Sequence, residues 1–113
     1  MIQQGEIWWA DLDASVGSTA GFRRPVLIVQ CDSFNRSRIA TVVCVPLTSN
    51  LKWADAPGNV HLVPRHTGLD RESVANVSLT VAIDKSVLTE QVGRLPAKLH
   101  AAVLAGIDVF LGR

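Results

Sequence analysis

Arg23-Arg24-Pro25-Val26-Leu27-Ile28-Val29 sets two guanidinium groups directly against an apolar run, with a proline at the join. Proline fixes φ and offers no N–H, so it suits the first residue of a strand and holds its predecessor extended. The spacing therefore predicts a buried strand over 25–31 with two fixed charges at its mouth. A guanidinium is permanently charged, and its planar fork matches phosphate oxygens. Two readings of the pair follow: a solvated loop end, or a phosphate clamp.

Working outward, residues 6–12 (Glu-Ile-Trp-Trp-Ala-Asp-Leu) read as a preceding strand, joined to the first by a loop rich in glycine and small polar residues. Loops of that length in small domains often bind ligands, and residues 15–22 are expected to be mobile. Residues 32–38 read as a turn with a helical start, and 40–47 as a third, strongly apolar strand. Residues 59–63 alternate like a half-exposed strand, 73–83 suit one long or two short strands, and 90–95 form a last one. Asp84 can cap a helical turn before it. Leu99, Ala102, Val103, Gly106, Ile107 and Phe110 then recur at helical spacing, with Pro96 at the first helical position and Gly112 past the end. The pattern is a small, mostly antiparallel β protein (mainly β with α, α+β), a partly open barrel finished by a C-terminal amphipathic helix. Trp8 and Trp9 fall on opposite faces of their strand.

The chain has 113 residues, 48% of them hydrophobic and 19% charged, which fits one domain over 1–113 and argues against disorder. A small subunit this apolar is expected to bury a face in a homodimer. No apolar run nears the roughly 18 residues that would span a bilayer, and the N-terminus lacks a basic, then apolar, leader; the expected location is cytoplasmic. Net charge is only +1, yet between Ala14 and Trp53 Arg23, Arg24, Arg36, Arg38 and Lys52 face the single acid Asp32, giving a polyanion one positive segment to find.

Several chemistries lack their residues. His61, His66 and His100 lie on different elements without a HExxH or Cys/His cluster, so no metal and no cofactor is expected. Cys31 and Cys44 lie in apolar strands without CxxC spacing and are read as buried, reduced thiols. There is no nucleophile elbow, phosphate-cradling glycine loop or close carboxylate pair. Arginine and hydroxyl remain. Leu47-Thr48-Ser49-Asn50 ends the third strand, and antiparallel pairing of the second and third strands would bring Arg24 and Thr48 to one sheet edge. Taken alone, the same motif is a strand-to-loop junction bonded to nearby backbone.

Residues 5–12, Gly17-Ser18 leading to Arg23-Arg24-Pro25-Val26-Leu27, Asp32-Ser33-Phe34-Asn35, Val45-Pro46-Leu47-Thr48-Ser49 and Val92-Gly93-Arg94-Leu95-Pro96 resemble, in order and near-equal spacing, the MazF/PemK-type toxin ribonucleases. The resemblance spans most of the chain. It implies an SH3-like barrel dimer, the toxin of a type II toxin–antitoxin pair, that cuts single-stranded RNA (mRNA, or loops of tRNA or rRNA) at short sequences without a metal and is restrained by a cognate antitoxin. It places Arg24 and Thr48 at the catalytic positions. Arg23, Asn35, Ser49, Asn50, Lys52, Trp53 and Asn76 are the candidates for RNA binding, where Trp53 either stacks a base or packs on the barrel. This chain reads Gly17-Ser18-Thr19 where many relatives have Gly-Ser-Glu, and Ser78-Leu79-Thr80-Val81 where many carry a Gln-and-Arg strand. Two alternatives stand beside the nuclease: a gyrase-poisoning toxin of the same barrel, against which the tryptophan-free ending Asp108-Val109-Phe110-Leu111-Gly112-Arg113 speaks, and an RNA-binding module without cleavage.

Overall fold

The computed structural model describes residues 1–12 and 23–113; the loop expected over 15–22 lies outside the described residues. The described residues form seven strands: β1 (Glu6–Asp11), β2 (Arg23–Ile28), β3 (Thr41–Thr48), β4 (Val60–Leu62), β5 (Ser73–Ala75), β6 (Val81–Asp84) and β7 (Leu88–Arg94). Short helices α1 (Asp32–Asn35) and α2 (Pro64–Thr67) sit between strands, and α3 (Ala97–Leu111) closes the chain. All recorded pairings are antiparallel, in the order β4-β5-β3-β2-β1-β7, with β6 also on β3. The sheet curls into a half-barrel, as expected of a partly open barrel with a C-terminal helix.

The unbroken apolar runs of β2 and β3 arise because both faces of these strands are covered. Leu27, Val45 and Leu47 face one core together with Ile7 and Val103, and α3 covers it with Leu99, Leu104 and Ile107. Val26, Ile28, Val42 and Cys44 face the other, filled by Trp8, Ile83 and Leu88. Fully burying such a side chain contributes about 1.5–3 kcal/mol, so the two central strands form a stiff platform.

Several boundaries differ from the sequence reading. β2 starts at Arg23, so Pro25 is its third residue, opposite Trp9; it lies just past Val26–Pro46, where the recorded ladder to β3 ends, and its missing N–H interrupts no recorded pairing with β3. Strand β2 stops at Ile28, which leaves Cys31 exposed ahead of α1 rather than buried; Cys44 is buried as expected. A hydrogen bond with Ser33 draws the Cys31 thiol below its ordinary value, whereas burial pushes Cys44 up to about 12. Residues 73–83 resolve into β5, a turn over Val77–Leu79, and β6. Asp84 caps the turn Lys85–Val87 by accepting from Ser86 N, as expected. Pro96 is the N-cap of α3 rather than its first residue, and Gly112 closes it in the left-handed conformation at φ 77°.

Two glycine contacts fix the outer layer. Gly58, at φ 88°, lies against the backbone of Gly106 on α3, where a Cβ on Gly58 would come 2.7 Å from Gly106 O. Gly68 takes φ 84° as the C-cap of α2, its N–H donating to Pro64 O, and sends the chain back along β7 toward β5.

Candidate active site

The register of β2 and β3 builds the site. Val26 pairs with Pro46, Leu27 with Val45 and Ile28 with Cys44; continued by two residues, this register sets Arg24 opposite Thr48. Neither Pro25 nor Pro46 has an N–H to donate, and the recorded ladder ends at Val26–Pro46. On its other edge Thr48 pairs with Val74. The start of β2, the end of β3 and the start of β5 thus meet at one end of the sheet, and a cavity of about 430 Å³ opens there.

Arg23, Arg24 and Pro25 line this cavity together with Trp9, Thr48 and Ser49. The Arg23 guanidinium lies 4.4 Å from the centroid of the Trp9 ring, and its Nη2 donates to Glu90 Oε1 at 2.9 Å. The two charged side chains are 46% and 66% exposed, so their pairing is worth at most about 1 kcal/mol, and a phosphate could replace Glu90. Arg24 is half-buried beside the cavity. Thr48 Oγ1 accepts from Asn50 N at 3.1 Å, which orients the hydroxyl so that its own hydrogen is free to point elsewhere. Trp8 faces the other way, packing on the second core and donating Nε1–H to Glu6 Oε1 at 3.0 Å.

The stretch 69–73 also lines the cavity, although in the sequence 65–72 reads only as a polar stretch around Gly68 and Ser73 as the start of a strand. Asp70, Arg71 and Glu72 bring alternating charge, and Glu72 Oε1 lies 2.6 Å from His61 Nε2 on β4. Ser73 Oγ is buried at the cavity lining, at the start of β5, without a hydrogen-bond partner among the described residues. The available signal was Gly68, a helix-ending glycine that turns a charged triplet into the start of a strand.

The expected RNA-binding residues divide into groups. Arg23 and Ser49 join Arg24 and Thr48. Trp53 and Asn76 line a second cleft of about 400 Å³, shared with Asn59, Ser78 and Phe110 of α3. Asn50 and Lys52 lie on the turn between the clefts; Asn50 Oδ1 caps that turn by accepting from Lys52 N, and Lys52 Nζ lies 5.0 Å from the Trp53 ring centroid. Trp53 is 47% exposed, so it is not a core residue. Asn35 is a correction: it is only 3% exposed, its Nδ2 donates to Gln30 O and Asp32 Oδ1, and its Oδ1 accepts from Gln30 Nε2. Its amide is consumed in holding α1 to the end of β2. Among the described residues no group of three or more His, Cys, Asp or Glu converges as metal ligands would.

A curled antiparallel half-barrel whose sheet end carries paired arginines, a hydroxyl and an aromatic floor belongs to the class of small barrels suited to binding a phosphate-bearing chain. A family model for PemK-like, MazF-like toxins of type II toxin–antitoxin systems matches residues 3–111, and the chain belongs to that family. It is 46% identical over 107 residues to Endoribonuclease MazF2 of Mycobacterium bovis, covering 95% of this chain and 94% of the relative. It is 30% identical over 111 residues to Endoribonuclease EndoA of Bacillus subtilis, covering 98% and 95% of the two chains. Among solved structures, a mycobacterial endoribonuclease in complex with its cognate antitoxin shares the fold at a TM-score of 0.80, with 22% identity and coverage of 99% and 96%.

Proposed function

We infer that the protein is the toxin of a type II toxin–antitoxin pair and an endoribonuclease that cuts single-stranded RNA, with the whole chain as one toxin domain. The observation that carries the reading is the meeting of Arg24 and Thr48 in one cavity, in a chain 46% identical over 95% of its length to an endoribonuclease.

The chemistry suits these groups. A ribose 2′-hydroxyl attacks its own phosphate, leaving a 2′,3′-cyclic phosphate and a 5′-hydroxyl end. The protein must hold the attacking and leaving oxygens in line and stabilise the added charge on the phosphorane-like transition state. Arg24 supplies a fixed positive charge for the phosphate oxygens; a guanidinium, with a pKa above about 12, is a poor proton donor, so its part is electrostatic. Thr48 donates to a phosphate oxygen or to the leaving oxygen. Arg23 and Ser49 bind the adjoining backbone. In the second cleft Trp53 offers a face for an unstacked base, Asn76 an amide for its edge, and Asn50 and Lys52 line the path between.

A cognate antitoxin restrains the enzyme by laying an acidic, disordered segment over the same cationic cleft; the solved mycobacterial relative with its antitoxin supports such a partner. The exposed apolar end of α3, with Val109 and Leu111, offers apolar surface to a homodimer. No helix among the described residues is long and apolar enough to cross a membrane, and cytoplasmic RNA is the substrate of this reading. A long RNA incubated with the protein in excess EDTA tests it: fragments with 5′-hydroxyl and 2′,3′-cyclic phosphate ends are expected. Intact RNA in the presence of folded protein would refute it.

A further inference from the structure

Cleavage through the 2′-hydroxyl needs a group to take its proton, and neither Arg24 nor Thr48 can do so at neutral pH. Asp70 and Glu72, which line the same cavity as Arg24, are the two described lining residues able to accept it. They differ in how they are held. No hydrogen bond ties the Asp70 side chain to the described residues, whereas Glu72 Oε1 meets His61 Nε2 at 2.6 Å. The β4–β5 ladder pairs His61 with Val74 and Leu62 with Ser73, so the strand that carries His61 runs beside Glu72, and the two half-exposed side chains meet at the cavity's edge. Nε2–H donates to Oε1, and Oε2 keeps no hydrogen bond to the described residues. A carboxylate tethered through one oxygen, with the other open, is placed as a general base requires.

We propose that Glu72 accepts the proton of the attacking 2′-hydroxyl and that His61 is its positioning residue. The assignment rests on the RNA-cleavage reading above. Glu72 takes the proton as O2′ bonds to phosphorus. The P–O5′ bond breaks, O5′ departs with a proton from water, and the Glu72 carboxylic acid returns its proton to solvent. Arg23, Arg24 and Arg71 offset the charge of Glu72 and Asp70 in the same cavity, which lets a carboxylate stand beside a phosphate.

Steady-state cleavage of a short single-site RNA across pH, by the full chain and its variants, tests the assignment. The wild type is expected to lose rate toward acid pH, and Glu72→Gln to lower kcat at least about 100-fold with little change in KM and to remove that fall. Glu72→Asp keeps that acid fall at a reduced kcat. His61→Ala lowers kcat several-fold, and His61→Gln, which still offers an N–H, restores most of the loss, a rescue that a role in fold stability alone would not give. A Glu72→Gln variant that cuts as fast as wild type at every pH, or that only lowers KM through lost charge repulsion, overturns the assignment while leaving the nuclease reading intact. A folded wild type that leaves RNA whole would instead remove the reading on which it rests.

Discussion

Arg23 and Arg24 are neighbours in sequence with opposite environments. Arg23 is exposed, stacked on Trp9 and lightly tied to Glu90, while Arg24 is half-buried in register with Thr48. The pair therefore divides its labour. Replacing a charge that stabilises a transition state typically costs about 100- to 1,000-fold in kcat, so Arg24→Ala is expected to lose cleavage to that extent with its fold and melting profile kept. Arg23→Ala is expected to weaken RNA binding, to reduce the slope of log affinity against log salt by about one, and to leave kcat near wild type. Titration of binding against salt beside single-turnover cleavage separates the two, and equal losses in both assays for both variants would contradict the division. Which arginine to assign to catalysis was legible in the sequence: the proline marked the place, and the expected pairing of the second and third strands together with the family resemblance pointed to Arg24, with which the register of β2 and β3 agrees.

Strand identity was legible wherever burial is two-sided, because β2 and β3 read as continuous apolar runs whose length and flanking turns left little choice. Boundaries were less so. Pro25 reads as the first residue of its strand, yet it is the third of β2, and Pro46 lies within β3 as expected, since a proline costs a ladder hydrogen bond only where a partner waits for its N–H. The wall at 69–73 was hidden because its role depends on Gly68 turning the chain and on β4–β5 pairing, neither of which charge pattern announces. Asn35 shows the converse: a residue within a family-like motif whose amide is spent on local structure. Element contacts also override local propensity at Gly106. Alanine there would gain about 1 kcal/mol of helix propensity, but its Cβ would collide with Gly58 O. Gly106→Ala is accordingly expected to lower stability by about 1–3 kcal/mol, read as a fall in Tm, and to weaken RNA binding by shifting the 56–59 loop that shapes the second cleft. A higher Tm would show that the contact is loose.

Across the whole molecule, one end of a stiff, doubly covered sheet carries the cationic cavity, and the loop turn at Leu51–Trp53 joins it to the Trp53–Phe110 cleft. A single strand of RNA crossing both would place its reacting phosphate in the first and an unstacked base in the second, and an acidic antitoxin segment would compete for the same path. Net charge hid this arrangement, because acids elsewhere offset the basic segment; distribution and register revealed it. The most direct test is a crystal structure with an RNA carrying a single 2′-deoxy nucleotide at the cut site, which cannot cleave itself. The account predicts the scissile phosphate between the Arg24 guanidinium and the Thr48 hydroxyl, with the 2′ position toward Glu72. A scissile phosphate bound instead in the Trp53–Phe110 cleft, or away from both arginines, would contradict it.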